Sequence, residues 1–162
     1  MSSGNTHEAF GKGLAILSTP ALAILGAPPL PILLGQLTAL FLASPDVDTK
    51  SKATKRWGLF EGIWSPLQAR TKHRGITHNP FVGPVVVIGY LAIATTGFVN
   101  GFRLALAIWL GSPFSWWMPS LSWWWVSWFM VGAFMQYWLH LILDKVSSWW
   151  KSRRKKRGRR RR

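Results

Sequence analysis

The chain has 162 residues, 49% of them hydrophobic, with 12 Trp and a net charge of +15 from 20 Lys and Arg against 5 Asp and Glu. That length suits one domain, and so apolar a chain with so few acids suits a small integral membrane protein rather than a dispersed soluble one. With no cysteine, disulfides, thiolate metal sites and cysteine nucleophiles are excluded, and any metal has to be held by His and carboxylate.

No basic stretch precedes the first apolar run, so the N-terminus does not read as a cleaved signal peptide. That run, Ala9 to Gly26, is the first expected helix, with Asn5 and Glu8 spaced as an N-terminal capping box. The PPLP stretch from Pro28 to Pro31 ends it, because proline lacks an N–H and clashes with the preceding turn. A second apolar run, Leu30 to Ala43, leads to SPDVD. A loop from Lys50 to Arg74 follows, with 7 Lys and Arg, and closes on the stretch KHRGITHNP.

The third run, Phe81 to Val99, and the fourth, Leu121 to Leu143, each reach the roughly 20 residues a helix needs to cross the hydrocarbon. RLALAIWL, Arg103 to Leu110, is too short to cross alone and reads as an extension of the third helix or an interfacial segment. Of the 20 basic residues, 10 fall in the last twelve positions.

Loops rich in Lys and Arg stay in the cytoplasm. The expected fold is therefore all-α and polytopic, with about four transmembrane helices and both termini cytoplasmic. Residues 1–150 form the membrane domain and 151–162 a disordered polybasic tail that touches anionic lipid headgroups. Trp116, Trp117, Trp123 to Trp125 and Trp128 at one end of the fourth helix, with Trp149 and Trp150 at the other, read as an aromatic belt at each interface.

On that topology all four histidines and four of the five acids come to one membrane face. His7 and Glu8 start helix one, and Asp46 and Asp48 end helix two. His73 and His78 precede helix three, and His140 and Asp144 end helix four. Only Glu61 stands apart.

Ionisable groups near a membrane core are costly, so such a cluster points to function. His140 and Asp144 are four residues apart and share a helix face. Asp46 and Asp48 point the same way if their turn is extended. Imidazole plus carboxylate suits Zn, Mn or Fe, as one ion or a pair. Each piece alone has an ordinary explanation: Glu8 as a cap, His7 as a surface histidine, SPDVD as a turn, His140 hydrogen-bonded within the bundle, Asp144 paired with Lys145 or Arg74. Their shared location favours a metal site.

The ordered motifs SGNTHEAF, PDVD, KRWG, HRGITHNP and WLHLILD resemble a small bacterial and cyanobacterial family of membrane proteins described as metal-binding. That family is similar to the LexA-regulated, membrane-bound metal-dependent hydrolases. The resemblance covers about Ser3 to Trp150. It implies a site built from His7, Asp46, Asp48, His73, Arg74, His78, His140 and Asp144. Glu8 stands where an Asp is commoner, and Thr77-His78-Asn79-Pro80 where Ser-His-Gly-Pro is commoner.

The expected function is metal-dependent hydrolysis of a phosphoester or lipid, in a bacterial inner (plasma) or thylakoid membrane. His7, Asp46, Asp48, His78, His140 and Asp144 are the candidate ligands. His73 is the candidate acid or base, with Arg74 beside it. Lys72, Lys55 and Arg56 are the candidate grips for a phosphate-bearing substrate, since cations near the site suit phosphate. The alternatives are a structural metal tying the helix ends together, and a polybasic tether to membrane or nucleic acid. The tail has no interleaved aromatics to stack bases, so nucleic acid is not an expected partner.

Overall fold

In the computed structural model, residues 4–71 and 75–159 are described, and among them the chain is helical with no strand. Helix α1 spans Gly4–Ile24. Gly26, at a φ of 86°, and Pro28 turn the chain into α2, Pro29–Leu37, whose first turn holds Pro29 and Pro31 where no backbone N–H is needed. A π-turn, Thr38–Leu42, continues it, and a 3-10 turn, Pro45–Asp48, follows.

The basic loop folds into α3 (Lys52–Lys55), a 3-10 stretch (Gly58–Trp64) and α4 (Ser65–Arg70). A last 3-10 turn, Ile76–His78, leads into α5, Val82–Leu110, and then α6, Trp123–Arg159.

α1 and α2 form an antiparallel hairpin. Gln36, fully buried, joins them at mid-length: its Nε2 donates to Ser18 Oγ at 2.8 Å and its Oε1 accepts from Thr19 Oγ1 at 3.3 Å. Where neighbouring helices have to satisfy each other's polar groups, such bonds hold a bundle together. Gln136 of α6 donates to the carbonyl of Gly11, fixing α1 against α6 as well.

α2 and α6 touch backbone to backbone. A Cβ on Gly35 would lie 1.9 Å from the Phe129 carbonyl oxygen, and one on Gly132 would lie 2.1 Å from that of Ile32. Only paired glycines permit this approach.

Among the described residues, three segments are long and apolar enough to cross a membrane: Pro29–Asp48, Val82–Leu110 and Trp123–Arg153. α1 is not among them, because Asn5, Thr6, His7, Glu8 and Lys12 dilute its first three turns. α5 takes in Arg103 to Leu110 and stops at Gly111, at a φ of 64°, so that stretch extends the helix and is not a separate interfacial segment. At about 1.5 Å per residue its 29 residues run to about 43 Å.

The boundary expected after Trp150 is not a helix end, since α6 continues to Arg159. Asn100 of α5 pins the Trp-rich connection to α6, donating to the Trp117 carbonyl at 2.9 Å and accepting from its N–H at 2.7 Å.

The basic loop is a packed layer rather than a free linker. Trp64 and Val47, both fully buried, sit with Leu67, Val87, Leu91 and Tyr137 in one apolar core under the helix ends. Four segments therefore meet on that layer: the start of α1, the exit from α2, the start of α5 and the middle of α6.

Candidate metal centre

Asp46 is presented by the Pro45–Asp48 turn. The hydroxyl of Ser51 donates to the Asp46 carbonyl at 2.8 Å, and Gln68 Nε2 donates to that of Val47 at 3.0 Å, so both flanks of the turn are held. Ser51 also caps α3 through a reciprocal pair with Thr54. His78 closes the Ile76–His78 turn. The Tyr137 hydroxyl donates to the carbonyl of the buried Thr77, and the Asn79 side chain accepts from the N–H groups of Phe81 and Val82 to start α5. His140 and Asp144 come from one face of α6, and His7 from α1.

One donor atom from each of Asp46, His78, His140 and Asp144 lies within 4.8 Å of all the others. His78 Nε2 is 3.5 Å from Asp46 Oδ1, and His140 Nε2 is 3.5 Å from Asp46 Oδ2. These gaps are long for hydrogen bonds. They match the roughly 3.3–3.4 Å edge of a tetrahedron whose ligands stand about 2.0–2.1 Å from an ion. His140 Nε2 is buried without a hydrogen-bond partner, a loss that a cation in the cluster removes. Two imidazoles and two carboxylates form a donor set of divalent-metal type, and the residues fit the group.

His7 stands against the cluster. Its ring stacks on His140 at 4.1 Å, and its Nε2 is 3.2 Å from Asp144 Oδ1.

Asp48 takes a different place from Asp46, because the turn is 3-10 rather than extended and residues two apart diverge. It lies at the other edge of the His78 ring, with Oδ2 3.7 Å from Nδ1, and accepts from Thr77 Oγ1 at 2.8 Å. A carboxylate behind a ligating histidine orients the ring and raises its basicity. Thr77→Val is therefore expected to weaken metal binding about 10- to 100-fold with all four donors intact, measured by competition with a chelating dye.

A hollow of about 240 Å³ opens beside the cluster, lined by His7, Asp46, His140 and Asp144 on one side and by Ser51, Lys52 and Arg56 on the other. Asn5 is inside α1 rather than capping it, and accepts from Lys52 Nζ. Glu8 likewise is no cap. It binds Lys12 at 2.9 Å, Lys52 at 3.4 Å and Arg56.

Of the cations expected to grip an anion, Arg56 is on the hollow but tied to Glu8, and Lys55 is exposed away from it. Lys72, His73 and Arg74 lie outside the described residues. Lys52 and Ser51 are the additions. The Ser51-x-x-Thr54 cap spacing marks the start of α3 at Lys52, and the fold then sets Lys52 on Asn5 and Glu8 of α1.

Among the described residues the chain is helical, and it gathers a compact His and Asp cluster of the kind that can hold a divalent metal. Residues 2–154 match the family described as uncharacterised metal-binding protein (DUF2227). The chain belongs to that family. A protein of Aquifex aeolicus (strain VF5), described only as an uncharacterised protein, is 41% identical over 63 residues, covering 38% of this chain and 45% of that relative. No solved structure matches the chain.

Proposed function

We propose that the protein is a membrane-embedded, metal-dependent hydrolase acting on a phosphate-bearing ester at the cytoplasmic face. The observation that carries this reading is the Asp46–His78–His140–Asp144 cluster opening on a hollow that also holds Lys52. Asp46, His78, His140 and Asp144 hold the metal, with Zn, Mn or Fe suited to that donor set. When bound, such a metal polarises an ester oxygen and makes water acidic enough to lose a proton near neutral pH.

The chain's own groups do the rest. Lys52 and the Glu8-braced Arg56 attract and orient the anionic group. His7, stacked on His140 and with its Nε2 on Asp144 Oδ1, holds both of those groups in place. His73 and Arg74 take the acid–base and phosphate roles expected for them.

All four helical arms cross the membrane, α1 included, with both termini and the site inside. Support comes from the basic residues between Lys50 and Arg74 and from the basic stretch ending α6, since the cytoplasmic side collects such charge. Exposed Trp123, Trp149 and Trp150 near the two ends of α6 suit headgroup depth. The basic end of α6 rests on anionic lipid, in a bacterial inner or thylakoid membrane.

The test is turnover of phosphomonoesters and phosphodiesters by metal-loaded protein. Asp46→Asn is expected to be inactive. Lys52→Ala is expected to raise KM about tenfold for an anionic ester with little change in kcat, as loss of one charge-assisted contact worth 1.5 kcal/mol or so does. A well-loaded protein inert across the panel would sink the reading. The second reading, a structural metal, is favoured by the count of four protein donors, which is that of a closed site. The absence of an exchangeable water on the loaded metal would establish it.

A further inference from the structure

A second, larger hollow adjoins the cluster on its other side. About 560 Å³ in volume, it runs between the start of α5 and one face of α6. Trp138, Leu141, Ile142, Lys145 and Ser148 succeed one another along that face at helical spacing, and Phe81 closes it from α5. Its size is in the range of sites for small organic ligands, about 300–1,000 Å³.

His78 and Asp144 also line it, so Asp144 belongs to both hollows and the cluster is the wall between them. The groove is polarised along its length. The apolar end is walled by Trp138, whose indole N–H is fixed on the Pro80 carbonyl at 2.7 Å and whose ring meets Phe81 edge-on at 5.6 Å. The other end carries Lys145 and Ser148. Phe81, Trp138 and Ile142 are 64%, 44% and 55% exposed, so the groove is open along the apolar outer surface of α5 and α6.

We propose that this groove holds an acyl chain of an anionic membrane lipid, so that the substrate of the site is a lipid taken from the adjoining leaflet. The inference rests on the membrane-embedded hydrolase reading and supplies its substrate class. Three features fix the occupant. The groove continues the apolar outer surface of α5 and α6. Its apolar-to-basic axis runs in the sense of a lipid in a leaflet, with the chain inward at Trp138 and the head outward at Lys145. Its midpoint is at His78 and Asp144, where the ester of such a lipid would lie. A free phosphate compound uses the polar hollow alone and has no need of Phe81, Leu141 or Ile142.

The experiment is photocrosslinking of full-length protein in liposomes doped with phosphatidic acid bearing a diazirine in its acyl chain, with labelled residues mapped by peptide mass spectrometry. Label is expected to concentrate on Phe81, Leu141 and Ile142. Ile142→Trp, which fills the groove, is expected to cut that labelling about tenfold, equivalent to losing burial of roughly two methylenes, while metal content is unchanged.

His78→Ala, which removes a metal donor, is expected to lose metal but keep the groove labelled. Labelling of the groove in metal-loaded parent protein that hydrolyses no lipid sinks the enzyme reading and leaves the groove standing. Label spread evenly over the outer faces at Ile93, Phe102 and Ile108, and unmoved by Ile142→Trp, overturns the groove. Labelling of the groove by a phosphatidylcholine probe as strongly as by phosphatidic acid, unmoved by Lys145→Gln, overturns the selection for an anionic lipid.

Discussion

Replacing His78 and Asp144 together by alanine is expected to strip the protein of metal. Two of the four clustered donors disappear, one from the turn before α5 and one from α6. Loss of a group merely behind a ligand costs about 10- to 100-fold in affinity, so two donors cost roughly 100- to 10,000-fold or more. Elemental mass spectrometry on protein purified in mild detergent reads this directly. The parent should carry stoichiometric transition metal and the double variant close to none. If neither protein takes up metal even after reconstitution, the cluster is a polar network at the helix ends and the enzyme reading falls with it.

The second large effect is expected where no chemistry is involved. Gly35→Ala puts a methyl group 1.9 Å from the Phe129 carbonyl oxygen, against backbone that cannot rotate away. α2 has to leave α6, at a cost of roughly 3 kcal/mol, the upper end of ordinary overpacking. The apparent melting temperature in detergent should fall by roughly 10 °C.

Metal retention should fall too, because Asp46 and His140 ride on the two helices being pushed apart. Gly97→Ala is the control. No atom lies within 4 Å of a Cβ there, and alanine favours the helix, so its melting temperature should hold or rise slightly. Equal losses from the two substitutions would show that the α2–α6 contact does not hold the site together.

The gathering of His7, Asp46, His78, His140 and Asp144 was legible in the sequence because each lies where an apolar run begins or stops, although α6 itself runs on to Arg159. Any residue at such an end inherits its position from the topology, and no side-chain detail is needed. The extension of α5 through Leu110 was one of two readings left open, and the lack of any breaker between Val99 and Leu110 except Gly101, which a helix tolerates, is what favours it over an interfacial segment.

Direction within the loops was not legible. Whether Asp48 faces with Asp46 or behind His78 depends on one turn being 3-10, which its four residues do not announce. Lys52 was not singled out among the 7 basic residues of the loop. Only the fold of that loop, closed over Trp64 and Val47, sets it on the hollow. The roles of Glu8 and Asn5 were misread because a capping-box spacing ignores partners more than forty positions away, and Lys52 and Arg56 are such partners.

The donors arrive in a fixed order during synthesis. Asp46 and His78 emerge with the first half of the chain, whereas His140 and Asp144 exist only once α6 has been made and threaded alongside α2. A chain halted before Trp123 carries half a coordination set and has nothing to close it. Free metal at 100 times its dissociation constant adds about 2.7 kcal/mol to whatever binds it, and here that increment goes only to molecules whose last helix is home. On the metal-binding reading, the loaded form is confined to chains whose last helix is docked against α2.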